Sequence, residues 1–197
     1  MKTNLLPALK LTFFSFVVCA ILYPFTVWAI AQWSPNQGKG FLIETDGRVF
    51  YIYKNIGQSF TEEGYFQSRP SAVDYNAAGS GGSNLAGSNR EYLHPVQQRI
   101  QAFQQANPTV SRAELPVELV TASGSGLDPD LTVQGARVQV ERIAKIRALD
   151  AEKIQELVTS QIEKPLWGIF GPEKVNVLML NLALDKLSAE RSKADVN

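Results

Sequence analysis

Residues 11–33 read LTFFSFVVCAILYPFTVWAIAQW, and they lie inside a stretch between Lys10 and Lys39 that holds no Asp, Glu, Lys or Arg. A helix rises about 1.5 Å per residue and a bilayer's hydrocarbon core is roughly 30 Å thick, so about 20 apolar residues cross it. The stretch is long enough to span. Trp28 and Trp33 sit at the C-terminal end, where an indole can bury its ring in the headgroup zone and keep its N–H hydrated. Pro24 is a kink that membrane helices tolerate, and the small residues Ser15, Cys19 and Ala20 would let a neighbouring helix approach closely. The competing reading is a signal peptide cut after Ala31, because Ala29-Ile30-Ala31 fits the small-x-small pattern. The apolar run from Leu11 to Trp28 exceeds the roughly 7–15 residues of a signal h-region, which favours a retained anchor.

Working outward, residues 1–10 form a short N-terminal tail carrying Lys2 and Lys10 with no acid, so the N-terminus is expected in the cytoplasm. Residues 34–197 are then expected outside the cytoplasm as one domain, long enough for a single core. That portion has no cysteine, since the one thiol, Cys19, belongs to the span; a cysteine-free fold is indifferent to an oxidising compartment. Lys plus Arg and Asp plus Glu each total 19, so charge gives no argument for nucleic acid.

The exported portion reads as α+β, a mixed α/β domain. Residues 40–44 and 48–53 are rich in Phe, Ile, Tyr and Val around Asp46-Gly47, a hairpin signal. Leu93, Val96, Ile100 and Phe103 recur at helical spacing from Asn89 until Asn107-Pro108 stops the pattern. Pro116 to Thr121 (PVELVT) is a strand candidate followed by a glycine-rich loop. Thr132 can cap a helix running to about Arg147, and Asp150 another that places Ile154, Leu157, Val158 and Ile162 on one face. Residues 168–172 break the chain, and Val175 to Leu182 (VNVLMLNL), apolar on both alternating faces, predicts a strand buried in the middle of a sheet.

Catalytic constellations are missing from the sequence. His94 is the sole histidine and precedes Pro95 at a helix entrance, with no second His to share a metal. The serines of Ser123-Gly124-Ser125-Gly126 do not make a Gly-x-Ser-x-Gly elbow. Asp128-Pro129-Asp130 lacks the remaining ligands of a calcium loop and reads as a turn. Ser80-Gly81-Gly82-Ser83-Asn84 fits neither a phosphate loop, which needs Gly-Lys-Ser/Thr, nor a dinucleotide fingerprint, which needs a last glycine where Asn84 stands.

Taken as whole strings, these loops carry a resemblance. GYFQSRPSA (64–72), Tyr75-Asn76 and SGGSNL (80–85), then LPVELVTASGSGLDP (115–129), then VNV and LNLALD between 175 and 185, resemble in order the signatures of the KdpC family, small subunits of bacterial high-affinity potassium-transporting P-type ATPases. With IGQSF (56–60) the likeness covers nearly the whole chain. It implies a non-catalytic, single-pass subunit of the plasma (inner) membrane. Its partners would be a channel-like subunit, a P-type ATPase subunit, a very small peptide subunit and the bilayer, with no nucleic acid. ATP, magnesium and potassium would be handled by those partners and no cofactor by this chain. The family has been compared with a transporter-ATPase nucleotide signature through a Gln before its Ser-Gly-Gly; Ala78 stands there, which weakens a nucleotide contact. Glu141 also stands where relatives often carry Pro.

The loops supply the candidate partner-binding or loop-structuring residues: Arg69, Ser80, Gly81, Gly82, Ser83, Asn84, Ser123, Gly124, Gly126 and Asp128. Glycine gains nothing in a core, so the two loops are expected to use backbone conformations closed to other residues and to lie together with Arg69 beside them. Arg69 either pairs with a carboxylate of its own domain or reaches a partner.

Overall fold

The structure, a computed structural model, describes residues 4–45 and 48–194. The Asp46-Gly47 hairpin signal and Lys2 lie outside the described residues. The chain divides into two units, Met1–Tyr53 and Lys54–Asn197.

In the first unit, α1 (Leu5–Phe16) passes into a π-helical stretch (Val17–Leu22) and then α2 (Tyr23–Ala31), a continuous, predominantly apolar helix of 27 residues. Pro24 explains the π turn. It has no N–H to give and its ring would strike the carbonyl four residues back, so the preceding turn widens and the Tyr23 N–H bonds to Val18 O. Thr26 Oγ1 donates to the Leu22 carbonyl at 2.8 Å. The helix begins before the uncharged stretch and includes Lys10. A hairpin follows: β1 (Phe41–Thr45) pairs antiparallel with β2 (Arg48–Ile52), Phe41 opposite Ile52 and Thr45 opposite Arg48.

The second unit is built of helices on a small sheet. Asn89 caps α3 (Arg90–Ala106) by accepting from the Glu91 N–H. Thr132 caps α4 (Val133–Arg137) and Asp150 caps α6 (Ala151–Ser160), both as the sequence predicts. The single helix expected from Thr132 to Arg147 is two, because α5 (Val140–Arg147) restarts after Gln139, whose side chain is drawn inward to bond elsewhere. Very short strands β3 (Asp130–Leu131), β4 (Ile162–Glu163) and β5 (Lys174–Asn176) form an antiparallel sheet in the order β3-β5-β4.

Two expectations fail here. PVELVT is a 3-10 turn (Val117–Leu119), closed by Thr121 Oγ1 and N–H donating to Val117 O, with no strand beside it. VNVLMLNL starts as the central strand but turns at once into α7 (Val177–Ala194). Asn176 Oδ1 accepts from the Met179 N–H, an N-cap bond, and Val177, Leu180, Asn181 and Leu184 then fall on one buried stripe at helical spacing. The core joins Phe66, Phe103, Leu131, Ile143, Ile154, Val158, Val175, Leu180 and Leu184. Each large apolar side chain buried there contributes about 1.5–3 kcal/mol.

Candidate functional site

The segment 63–67 crosses this core without a strand to pair with, so side chains satisfy its main chain. Asn181 Oδ1 accepts from the Phe66 N–H at 2.9 Å and Asn181 Nδ2 donates to the Phe66 carbonyl at 3.0 Å. Gln139 repeats the device one residue on, accepting from the Gln67 N–H at 2.8 Å. Arg142, 6% exposed, donates to the carbonyls of Glu63 and Tyr65 and to the side chains of Gln139 and Asn107. Burial pushes its guanidinium below the usual arginine range, against the attraction of Glu63. Arg147 donates to the Gly64 carbonyl at 2.6 Å and to Asp185 at 2.7 Å, and lies 4.3 Å from the Tyr65 ring centre.

From this fixed strip the chain runs into the glycine-rich loops, and they meet. The Gly81 N–H donates to Ser125 O at 2.9 Å, and Ser80 Oγ to the same carbonyl at 3.1 Å. Arg69 Nη1 pairs with Asp128 Oδ2 at 2.6 Å, so the first of its two roles is realised. Tyr75 OH donates to Arg69 O, and Ser71 Oγ donates to Gly126 O at 2.7 Å while accepting from Val73 and Tyr75 N–H groups. Ser123 Oγ accepts from the Gly126 N–H at 2.9 Å, and the Ser123 N–H reaches Pro70 O at 3.3 Å. Asp128 Oδ1 also accepts from the Asp130 N–H, which makes Asp128-Pro129-Asp130 the expected turn. Asp130 itself pairs with Lys174 at 2.5 Å.

The glycines divide. Gly126 sits at φ +68, where a Cβ would lie 2.5 Å from Val73 Cγ2 and 2.9 Å from Gly81 O. Gly82 is needed for approach alone, since its Cβ would stand 3.3 Å from Gly124 O. Gly81 and Gly124 have neither a left-handed φ nor crowding below 3.4 Å, so the expectation of conformations closed to other residues fails for them. Asn84 takes φ +53, which asparagine tolerates. Ser83 is exposed beside a recess lined by Ala72, Tyr92 and Ala122. In the first unit Ser15, Cys19 and Ala20 are all exposed, the last two in the π turn.

Several structuring residues lie outside those motifs. Gly57 packs where a Cβ would be 2.5 Å from Asp128 O, and its N–H donates to Leu127 O at 2.7 Å. Gln139, Arg142 and Asn181 carry a usable signal, as polar residues at the buried phase of helical periodicities. Glu118 accepts from Thr132 Oγ1 at 2.5 Å, tying the 3-10 turn to the α4 cap. Beside Arg69 opens a cleft of about 440 Å³, lined among others by Ser68, Tyr75, Arg99 and Phe103. Burial pushes the Tyr75 phenol above its ordinary pKa, with a hydrogen bond from Ser68 opposing. Arg69 Nε is buried with no hydrogen-bond partner among the described residues.

A family model described as KdpC, K+-transporting ATPase, c chain, matches residues 5–186. The chain is 50% identical over 184 residues to the potassium-transporting ATPase KdpC subunit of Flavobacterium psychrophilum, covering 93% of this chain and 98% of that one. The Flavobacterium johnsoniae protein of the same name is 51% identical over 184 residues, with the same coverage. That of Bacillus cereus strain B4264 is 43% identical over 187 residues, 94% of this chain and 97% of the relative.

Proposed function

We propose a function that proceeds from one premise: the chain belongs to the KdpC family, the c chain of K+-transporting ATPases, and is a membrane-protein subunit of such an ATPase. Within that complex its role is accessory and non-catalytic. It stabilises or regulates the assembly of a channel-like subunit and a P-type ATPase subunit, with a small peptide subunit alongside, and binds no cofactor of its own. The helix Leu5–Ala31 stays as a single-pass anchor in the plasma membrane, N-terminus cytoplasmic and the C-terminal domain outside. Inclusion of the helix in the family match, from residue 5, supports retention over cleavage after Ala31.

The observation that carries this reading is the joint between residues 80–82 and 123–128. Its hydroxyls, carboxylate and glycines are consumed in holding two loops together around Arg69–Asp128. That is how a fixed docking surface is made: the loops lose their conformational entropy on folding, so a partner meets them preorganised. Arg69, paired internally with Asp128, also lines a cleft that a partner can enter. The test is copurification of the affinity-tagged full chain from detergent-solubilised membranes. Recovery of the channel-like and ATPase subunits in stoichiometric amount, with potassium-dependent ATP hydrolysis, is the expected result. A tagged chain recovered alone, or beginning at Gln32, overturns it.

A further inference from the structure

Residues 165–171, PLWGIFG, link β4 to β5 and show an apolar cluster unlike the rest of the second unit. Leu166, Trp167, Ile169 and Phe170 are 63, 82, 75 and 59% exposed. Other large exposed apolar residues of that unit, such as Leu85, Leu93 and Val117, are well separated in the chain. Trp167 and Gly168 both have positive φ, 54 and 79, so the chain reverses on a pair of left-handed residues where hairpins normally place Asn-Gly. A tryptophan there is sterically unfavourable, and burial does not offset it, since the side chain stays 82% exposed with its ring edge-on to Phe170 at 5.9 Å.

We propose that this hairpin tip enters the interfacial zone of a lipid bilayer, led by Trp167 and Ile169, giving the domain a second, reversible membrane contact. Hydrocarbon admits only main chain whose polar groups are already satisfied. Most of the tip's donors meet that condition: the N–H groups of Leu166, Gly168, Ile169 and Phe170 bond to Phe170, Pro165, Leu166 and Leu166 carbonyls, and Pro165 has none, while the Trp167 N–H is left to the water and headgroups of the interfacial zone. The segment 165–172 holds no charge, Lys164 at its base suits anionic headgroups, and Trp with Phe is the composition of interfacial anchors. Lipid is also the surface this chain is tethered to. The inference rests on the reading that Leu5–Ala31 is a retained span, and the second unit begins at Lys54, a short way along the chain from Ala31. Even fully extended, at about 3.5 Å per residue, that tether keeps the start of the unit within roughly 80 Å of the span's end. A contact too weak to recruit a free protein is then effectively intramolecular.

The full chain has three tryptophans, so Trp28→Phe with Trp33→Phe leaves Trp167 as the sole indole. Reconstituted in nanodiscs, this variant should emit at shorter wavelength than a hydrated indole and lose intensity with brominated lipid, most with bromines near the headgroups. Hydrated emission of equal intensity in both lipids overturns the proposal. So does a blue-shifted emission indifferent to bromine in the copurified complex, which would mean that a protein partner covers the tip. Trp167→Phe, keeping Trp28 and Trp33, reports the span. If its emission is also unquenched, the span and the tip contact fall together; if only Trp167 is unquenched, the tip contact falls alone.

Discussion

Gly126 and Gly168 both occupy the left-handed region, yet a side chain at Gly126 would strike Val73 and the Gly81 carbonyl, whereas one at Gly168 would meet open space. The first glycine belongs to a joint in which polar groups are turned inward and bonded to each other. The second belongs to a tip that turns large apolar groups outward. Similar backbone conformations therefore serve opposite ends. At the joint, glycine permits close approach between loops far apart in sequence; at the tip it permits a reversal and nothing more. A glycine-rich string alone does not distinguish the two, because what decides is the neighbour the missing Cβ would have touched.

The largest effect is expected beneath the joint. Arg142→Met leaves the carbonyls of Glu63 and Tyr65 and the side chains of Gln139 and Asn107 short of a buried donor, and should cost about 3–5 kcal/mol in denaturant unfolding of the full chain. A loss below about 1 kcal/mol would mean that water replaces the guanidinium and that the strip 63–67 is not held as described. Next comes Gly126→Val, where left-handed strain and overpacking together should cost roughly 2–4 kcal/mol. Gly168→Val has only the strain and should cost about 1–2 kcal/mol. Equal losses for these two valines would erase the comparison.

Legibility in the sequence tracks how locally each residue acts. The caps Thr132 and Asp150 work through a side chain and an N–H two or three positions away, so the sequence displays them. The apolar helix is likewise a matter of local composition. VNVLMLNL misleads because every position except the asparagines is apolar, which satisfies a strand period and a helical one alike. Asn176 as a cap and Asn181 at the buried phase are the arbiters. The proximity of the two glycine-rich loops is readable from their shared peculiarity. Their partners are not: Ser71, Tyr75 and Gly57 reach them only through tertiary approach, and the tip reads merely as a break because no periodicity marks it.

Smaller effects sharpen the same contrast. Gly82→Val, needing its neighbour to yield by a few tenths of an ångström, should cost about 1–2 kcal/mol while the rest of the domain keeps its far-UV dichroism. Trp167→Asn relieves an unfavourable backbone and should raise stability in detergent by up to about 1 kcal/mol, the only gain in the series. Alkaline titration should act on the joint side. The Tyr75 phenol is raised by burial and Lys174 by its hydrogen bond to Asp130. Both favour the protonated form in the folded state, so their contribution is complete below the ordinary values near 10 and is lost as pH climbs through the raised ones. Thermal unfolding followed upward from about pH 10 should show declining stability, with a shallower decline in Tyr75→Phe.

The central claim, that the chain assembles through loops fixed by their own contacts, is tested most directly by the subunits recovered with affinity-tagged Gly82→Val chain from detergent-solubilised membranes, set against wild type. The account predicts a folded, membrane-bound chain that brings down clearly less of the channel-like and ATPase subunits and correspondingly less potassium-dependent ATP hydrolysis. Full recovery of both subunits with wild-type hydrolysis, from Gly82→Val and from Gly126→Val alike, would contradict it.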